Sequence, residues 1–483
     1  MREDSIMLIE NMEIEEFIKP MEIEELLKKG EDATDSEIDR ILDKAEKFGG
    51  LTHLEVASLL KMDDRHLPKL FKVARHIKDE IYGNRIVMFA PLYVSDYCVN
   101  RCAYCSYNDC HTFTRRKLTM DEVRQEVIEI EKMGHKRIAM EAGEDDVNCP
   151  IDYIVECLNT VYQTQSDTSG EIRRANVNIA STTVENFKKL KAVGIGTYIL
   201  FQETYHKPTY EKYHLAGPKS DYWYHTTAFD RAQTAGIDDN GAGVLFGLYD
   251  PFFETMALMI HNEHLEKTCG VGFHTISVPR IRPAEGVDLM EIYPNIPDDE
   301  TFKRIVAVIR LAVPYTGMII STRETAAMRK DLLDCGITQM SACSAVGVGG
   351  YASEKMFRET GRHDANLVAQ FDKNDDRTAD EIVTWLMEEG LVPSWCTACY
   401  RSGRTGDRFM SIAKSGQIKN VCHPNALMTL SEYLEDYASP RAKELGYALV
   451  DKELEKVLDP KHREDSRINV ANIRSGKKRD LFF

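Results

Sequence analysis

Long apolar runs are missing from this sequence, and so is any excess of basic residues. No stretch approaches the ~20 apolar residues that a membrane span requires, and the acidic start Met1-Arg-Glu-Asp4 is unlike a signal peptide. The formal net charge of -17 argues against nucleic acid and anionic membranes as partners, because phosphate binding needs clustered Lys and Arg. We therefore expect a soluble, cytoplasmic protein with neither kind of partner.

A disulfide scaffold is also excluded, since twelve cysteines are few for 483 residues. Six of the cysteines fall into two sets of three, which indicates metal binding in a reducing compartment. We find no internal repeat and no low-complexity tract.

Short β-rich runs alternate with helical patterns from residue 86 onward. The candidate strands are 86–95, 137–141, 175–180, 197–202, 243–248, 274–278, 317–321 and 337–341. Eight strands alternating with helices predict an α/β fold, a (β/α)8 barrel of the TIM type. We expect the barrel over residues 81–380, after a helical extension over residues 1–80. A separate C-terminal unit follows over residues 381–483, and its end, from Lys461, is predicted to be a polar, mobile tail.

The first cysteine set follows the first candidate strand, in Cys98-Val-Asn-Arg-Cys102-Ala-Tyr-Cys105. In a barrel, the loops that follow the strands gather at the mouth where active sites form. Three thiolates hold three irons of a [4Fe-4S] cluster and leave the fourth iron free for another ligand. Zinc is the alternative, but it normally takes four closed ligands, and Cys110 has a different spacing. The sequence favours an open iron-sulfur cluster.

Polar residues follow several other candidate strands. They are Glu141-Ala-Gly143-Glu144, Gln202-Glu203-Thr204, Pro279-Arg280-Ile-Arg282-Pro283 and Thr322-Arg323-Glu324. Carboxylates and guanidinium groups around one mouth suit a zwitterionic amino acid, because Arg offers a planar fork to a carboxylate. Each group taken alone is more often a surface ion pair.

The second cysteine set is Cys396-Thr-Ala-Cys399, followed by Cys422 after 22 residues. Three cysteines again leave one iron of a cluster without a protein ligand. A zinc ribbon is the main alternative, and His423 could complete a Cys3His zinc site. His274 opens the sixth candidate strand, so it lies toward the barrel end opposite the first set; a lone histidine there is usually a buried, hydrogen-bonded residue.

The first motif, with an aromatic residue before its last cysteine, resembles the radical S-adenosylmethionine superfamily. Three further stretches, 196–206, 278–283 and 393–406, are similar to the HydG family, the tyrosine lyases that mature [FeFe] hydrogenase. The resemblance runs from the end of the helical extension to about residue 440. The run Cys343–Gly350 departs from the family's usual segment there, and Ser106 stands where glycine is common.

The resemblance implies a role for each matching position. For the first site these are Cys98, Cys102 and Cys105 for the cluster; Gly143, Glu144, Glu203 and Arg231 for S-adenosylmethionine; and Thr322 and Arg323 for the substrate carboxylate. For the second site they are Cys396, Cys399 and Cys422 for another [4Fe-4S] cluster, with His274 on an additional iron that a bridging cysteine attaches. This role for His274 replaces the structural one given above.

The implied activity is cleavage of the Cα–Cβ bond of L-tyrosine by a 5'-deoxyadenosyl radical, giving p-cresol and dehydroglycine. Dehydroglycine would then yield carbon monoxide and cyanide at the second cluster, for assembly of the hydrogenase active site. The implied partners are a low-potential electron donor and other hydrogenase maturation proteins. Two alternatives stay open, a thiamine-pathway tyrosine lyase (2-iminoacetate synthase), which has no need of the second cysteine set, and a non-catalytic iron-sulfur scaffold.

Overall fold

Eight parallel strands form a closed barrel in the computed structural model, which describes residues 14–166, 170–284, 293 and 295–483. The strands are β1 (Arg85–Ser95), β2 (Arg137–Ala142), β3 (Arg174–Asn178), β4 (Tyr198–Glu203), β5 (Asn240–Val244), β6 (Thr275–Ser277), β7 (Gly317–Ile320) and β8 (Gln339–Ser341). Each pairs with the next in chain order, and β8 pairs back onto β1 with Val87 opposite Gln339. The predicted (β/α)8 barrel is confirmed.

The fifth strand lies about three residues earlier than predicted. It is β5, Asn240–Val244, whereas the sequence pattern favoured the apolar run 243–248. The barrel interior explains the difference, because a side chain at either glycine of β5 would collide with its neighbours. A Cβ at Gly241 would lie 2.6 Å from Oγ1 of Thr275, and one at Gly243 would lie 2.6 Å from the ring of Phe201. Small residues are required there, so the strand lacks an apolar pattern.

Helices fill the connections and both flanks of the barrel. The α-helices are Pro20–Gly30, Asp35–Glu46, His53–Lys61, Leu67–Tyr82, Met120–Lys132, Ile151–Gln163, Val184–Val193, Lys207–Tyr213, Tyr222–Thr226, Ala228–Thr234, Pro251–Cys269, Asp299–Ala312, Ala326–Asp334, Gly350–Thr360, Ala379–Glu388, Ala398–Arg401, Gly406–Lys414, Ile418–Asp436, Pro440–Leu454 and Pro460–Arg474. Short 3-10 turns span Asp64–His66 and Pro218–Ser220, and residues 165–166 and 170–171 form a small antiparallel pair. No helix in the described ranges has the length and apolarity to span a bilayer.

The second and third helices begin with side-chain caps that the sequence encodes. Thr34 and Thr52 each accept a hydrogen bond from a backbone amide three residues on, and Glu37 and Glu55 bond back to the cap residues. These capping boxes satisfy amides that a helix start leaves free. Glu55 also pairs with Lys44 at 2.6 Å, which ties two of these helices together.

The C-terminal region joins the barrel through a ninth strand, β9 (Val392–Ser394), which pairs with the start of β1. The prediction of a mobile tail from Lys461 is wrong. The helix Pro460–Arg474 buries Ser466, Val470 and Ile473 along one face. Beyond it, the guanidinium of Arg479 donates to both carboxylate oxygens of Asp436, at 2.9 and 2.6 Å. Helical spacing of a few apolar residues therefore outweighs the polar composition of this segment.

Candidate active site and second cysteine site

The loop that follows β1 carries the first cysteine set, and one arginine holds much of it in place. The guanidinium of Arg115 donates to the carbonyl oxygens of Asp96, Tyr107 and Asn108 at 2.7, 2.6 and 2.6 Å. The side-chain amide of Asn108 in turn donates to the backbone carbonyl of Cys102 at 2.9 Å. These bonds fix the backbone around the thiols without using the thiols themselves.

Cys98, Cys102 and Cys105 line one cavity of about 990 Å³ at the carboxyl ends of the strands. Burial raises the pKa of the Cys105 thiol to about 11 and that of Cys102 further, so the thiols keep their protons unless a cation displaces them. Within the described residues, no three His, Cys, Asp or Glu side chains converge on one point as ligands of a single ion would. A [4Fe-4S] cluster fits this donor set, because each thiolate then binds a different iron.

The same cavity contains three of the four residues predicted to contact S-adenosylmethionine, Gly143, Glu144 and Glu203. A Cβ at Gly143 would lie 2.3 Å from the carbonyl oxygen of Tyr97, so glycine allows this strand end to approach the cysteine loop closely. Glu144 accepts a hydrogen bond from Asn100 at 2.6 Å. These contacts connect the second strand end to the first.

Glu203 forms an ion pair at 2.7 Å with Lys219, a partly buried cation on the wall of this cavity. The sequence pattern does not indicate Lys219, because in the sequence this residue lies far from any strand end. The sequence feature next to Lys219 is Gly217-Pro218, which begins a short turn. In that turn the backbone amide of Lys219 donates to the side-chain oxygen of Asn100 at 2.9 Å.

Arg231 lies outside the lining of the cavity. Its guanidinium donates to the carbonyl of Thr182 at 3.0 Å and to the hydroxyls of Thr227 and Ser181, and also to the carbonyl of Tyr224. These bonds hold the loop after β3. Its contact with S-adenosylmethionine stays a prediction, whereas Lys219, Arg282 and Arg323 are cations that line the cavity.

A second cavity, of about 690 Å³, continues from the first toward the barrel interior. Both predicted substrate residues line it. Arg323 stacks its guanidinium 3.4 Å from the ring centroid of Phe371 and, among the described residues, has no carboxylate within ion-pair distance. Thr322 is fully buried, and within the same residues its hydroxyl has no hydrogen-bond partner. Burial lowers the pKa of Arg323, so this cation is held in a site that favours an anionic ligand.

Glu141 was not chosen from the sequence, yet it lines both cavities together with Asn178, Phe201, Arg323, Gln370 and Phe371. Burial raises its pKa to about 8. A signal was present, because Glu141 is the first residue of the polar run that ends in Gly143 and Glu144. The sequence alone did not indicate that it points into the barrel.

The second cysteine set lies near the opposite end of the barrel. Cys396 follows β9, Cys399 lies in the short helix Ala398–Arg401, and Cys422 lies in the helix Ile418–Asp436. A hydrogen bond between Cys399 and Cys422 lowers the pKa of Cys422 and raises that of Cys399. The guanidinium groups of Arg85 and Arg404 lower the pKa of Cys422 further. This positive charge favours the thiolate form of Cys422, whereas burial raises the pKa of Cys396.

His274 faces this second site. Its ring centroid lies 4.5 Å from that of Phe409 and 6.3 Å from that of Tyr400, the residue after Cys399. Four polar atoms at this end of the barrel are buried and have no hydrogen-bond partner among the described residues. They are Nδ1 of His274, Oδ2 of Asp239, Oδ1 of Asn240 and Oγ1 of Thr275. Oδ2 of Asp239 lies 3.6 Å from Nε2 of His274, and such a group of atoms without hydrogen-bond partners fits a polar ligand.

His423 faces away from the other candidate ligands. Its Nε2 lies 3.2 Å from the carbonyl oxygen of Glu453, in the helix Pro440–Leu454. Adjacent residues of a helix point in different directions, so Cys422 and His423 do not face the same site. The geometry gives no support to a Cys3His zinc site.

The strand β1 sets the separation of the two sites. Val87 pairs with Ser394, just before Cys396, whereas Ser95 precedes the loop of Cys98. Eight residue steps at ~3.3 Å each span about 26 Å. The inner cavity lies between the sites, since Phe89 and Pro91 of β1 line it.

Comparisons with known proteins agree with this geometry. Residues 92–260 match the model of the radical SAM superfamily, and residues 277–392 match that of the biotin and thiamin synthesis associated domain. A crystal structure of HydG, a maturase of the [FeFe]-hydrogenase, is 54% identical, with a TM-score of 0.92, and the match covers 97% of this chain and 100% of that one. The chain belongs to the HydG family.

Other relatives are more distant. The X-ray structure of the FeFe-hydrogenase maturase HydG from Carboxydothermus hydrogenoformans is 36% identical, with a TM-score of 0.78, over 94% of this chain and 97% of that one. The 2-iminoacetate synthase of Salmonella typhimurium is 28% identical over 68% of this chain and 82% of its own length. As a HydG-family member, the chain is a radical S-adenosylmethionine lyase, an enzyme class that uses a [4Fe-4S] cluster and S-adenosylmethionine.

The two departures from the HydG family both lie beside the cavities. The hydroxyl of Ser106 donates to the carbonyl of Ala369 at 2.6 Å, so it ties the cysteine loop to the segment that contains Gln370 and Phe371. In the run Cys343–Gly350, Ser344 lines the inner cavity, and its hydroxyl has no hydrogen-bond partner within the described ranges. This segment therefore contributes a polar group to the inner cavity.

Proposed function

We propose that this chain cleaves the Cα–Cβ bond of L-tyrosine, releasing p-cresol and dehydroglycine. The observation that carries the proposal is the guanidinium of Arg323, which is partly buried, has no carboxylate within ion-pair distance among the described residues, and lies where the cavity of Cys98, Cys102 and Cys105 meets the inner cavity. A partly buried, unpaired cation is stabilised by an anionic ligand, and Arg binds a carboxylate through two parallel hydrogen bonds.

The rest of the inner cavity suits a phenol ring. Phe89, Ile319 and Phe371 supply apolar surface, while the hydroxyl of Ser344 offers a hydrogen bond. A pocket that is mostly apolar with a few polar groups orients its ligand by those groups. Thr322 follows β7 directly before Arg323, so we assign both residues to the amino-acid end of the substrate.

The first cavity, which Cys98, Cys102 and Cys105 line, would hold the cofactors. Cys98, Cys102 and Cys105 would bind the cluster, and Gly143, Glu144 and Glu203 would contact S-adenosylmethionine. When bound, the cluster and S-adenosylmethionine would supply the 5'-deoxyadenosyl radical that removes a hydrogen atom from the substrate amine. The chain itself orients the amino acid and keeps water from the reacting groups, because both cavities lie inside the barrel.

We further assign the C-terminal region, residues 381–483, to a second stage. Cys396, Cys399 and Cys422 would hold a second [4Fe-4S] cluster, and His274 would bind an additional iron attached through a bridging cysteine. Dehydroglycine would pass through the barrel interior and yield carbon monoxide and cyanide on that iron, which leaves as product for other hydrogenase maturation proteins. The unpaired polar atoms beside His274 support a polar occupant at this end.

One assay tests these assignments. Protein reconstituted without oxygen is given L-tyrosine, S-adenosylmethionine and dithionite, and p-cresol, cyanide and carbon monoxide are measured. We expect all three products. Formation of p-cresol without either diatomic would indicate a 2-iminoacetate synthase, and absence of p-cresol would indicate a scaffold and overturn the proposal.

A further inference from the structure

The guanidinium of Arg323 and the carboxyl group of Glu141 face the substrate cavity without pairing with each other. Arg323 and Glu141 line both cavities, and both are partly buried. Across the described residues, neither side chain has an oppositely charged group within 4.0 Å. Burying unpaired charges is costly, whereas a zwitterionic ligand would satisfy both at once. The carboxylate of an amino acid fits Arg323, which leaves its ammonium for Glu141.

The barrel registers place Glu141 at the centre of three adjoining strands. Glu141 of β2 lies opposite Tyr93 of β1 on one side and Asn178 of β3 on the other. All three side chains line the inner cavity. Asn178 hydrogen bonds to the Glu141 carboxyl, and the hydroxyl of Tyr93 donates instead to Gln370 at 2.8 Å. Neither neighbouring strand therefore supplies a positive charge to Glu141.

We propose that Glu141 binds the substrate ammonium and takes one proton from it, so that the amine is neutral when its hydrogen atom is removed. This inference rests on the tyrosine-lyase function proposed above. In the step, an N–H bond of the ammonium breaks heterolytically, an O–H bond forms on the carboxylate, and no electron is transferred. The carboxyl returns its proton to water before the next cycle.

The chemistry of the amine explains why such a group is needed. An ammonium has no lone pair, whereas a neutral amine has one that stabilises an adjacent radical while the Cα–Cβ bond breaks. Burial raises the pKa of Glu141 to about 8, so its carboxylate is a stronger base than that of an ordinary glutamate. A higher pKa lowers the free-energy cost of taking a proton from an ammonium, which favours general-base catalysis.

The groups that face Glu141 come from three elements. Tyr93 belongs to β1, Tyr107 to the cysteine loop, and Arg323 to the segment after β7. Among these, only Arg323 is a cation, and it favours the ionised form of Glu141. A bound ammonium would favour that form further.

Glu141→Gln tests the role, because it retains the shape of the side chain but cannot accept the proton. With p-cresol formation measured from pH 6.5 to 9.5, we expect kcat at pH 7 to fall by about 10²- to 10⁴-fold. The residual rate should then rise with pH, since hydroxide and water replace the missing base. Glu141→Asp should recover part of the rate. Glu129→Gln is the control, because Glu129 pairs with Lys132 outside both cavities and should leave kcat unchanged.

Two results would overturn the inference. One is a Glu141→Gln enzyme with the wild-type rate and pH profile; the other is a loss of the same size at every pH. Iron content and tyrosine-independent cleavage of S-adenosylmethionine report whether the variant is folded and loaded. If Glu141→Gln fails to load, the pH profile of Glu141→Asp decides, and an unchanged profile contradicts the proposal. Failure of the tyrosine-lyase function would differ from both, because wild-type protein would then form no p-cresol.

Discussion

Cys98, Cys102 and Cys105 lie within one loop, whereas Cys396, Cys399 and Cys422 come from three separate elements. The first loop is held by hydrogen bonds from Arg115 to backbone carbonyls, and its thiols open onto a cavity. The second set is held together by helix packing and lies near the guanidinium groups of Arg85 and Arg404.

The difference indicates how each site works. A preformed loop beside a large cavity suits a cluster that must meet a small cofactor and a substrate. A site assembled from the C-terminal helices, next to unpaired polar atoms of the barrel, suits a cluster that receives an intermediate from inside the protein. If so, damage to the first site should stop all chemistry, and damage to the second should stop only its later part.

The largest effect is expected from Cys102→Ala. This change removes one of the first site's three thiols, so both p-cresol formation and cleavage of S-adenosylmethionine should fall to background. Product assays and iron analysis measure the loss. Cys110→Ala is the matched control, because Cys110 is an exposed thiol five residues beyond Cys105 and should be dispensable. Full p-cresol formation by Cys102→Ala would contradict the assignment of the first site.

Cys399→Ala should separate the two stages. We expect p-cresol formation near the wild-type rate and loss of carbon monoxide, because the first site and the inner cavity are untouched. Gas-phase detection of carbon monoxide beside p-cresol in one reaction gives the ratio directly. Cys269→Ala, another exposed cysteine, should change neither product. A parallel loss of p-cresol would show that the stages are not separable.

Arg323→Lys tests the binding end of the first site. Lysine retains the positive charge but cannot bind a carboxylate through two parallel bonds. Loss of a charge-assisted hydrogen bond of about 1.5–3 kcal/mol corresponds to an increase in KM for tyrosine of about 10- to 100-fold. Steady-state p-cresol formation at varied tyrosine checks this value. An unchanged KM would place the substrate carboxylate elsewhere.

The smallest effect is expected from His423→Gln. Its ring faces the carbonyl of Glu453 rather than the cysteines, so iron content and carbon monoxide formation should stay at the wild-type level. Metal analysis of the purified variant tests this. Loss of metal from the C-terminal region would instead favour the Cys3His zinc site.

Much of this arrangement could be predicted from sequence, for physical reasons. The first cysteine set is local, so its spacing alone indicates a cluster, and long apolar strands such as β1 are visible as runs. The strand β5 was placed too late because Gly241 and Gly243 are selected by crowding inside the barrel rather than by hydrophobicity. The roles of Glu141 and Lys219 depend on which way their side chains point, and that is decided by strand register and loop packing.

The second site was harder to interpret for the same reason. Its ligands are distant in sequence: His423 is the local candidate beside Cys422, whereas His274 lies 148 residues before Cys422, and only the family resemblance indicates it. Helix geometry turns His423 away, and the barrel turns His274 toward Tyr400 and Phe409.

Metal analysis of intact protein, reconstituted and handled without oxygen, tests the central claim most directly. Two separate iron-sulfur sites at opposite ends of one barrel predict iron and sulfide for two [4Fe-4S] clusters, with one cluster lost in Cys102→Ala and the other in Cys399→Ala. Iron and sulfide for a single cluster in the wild-type protein, or zinc bound at Cys396, Cys399 and Cys422, would contradict it.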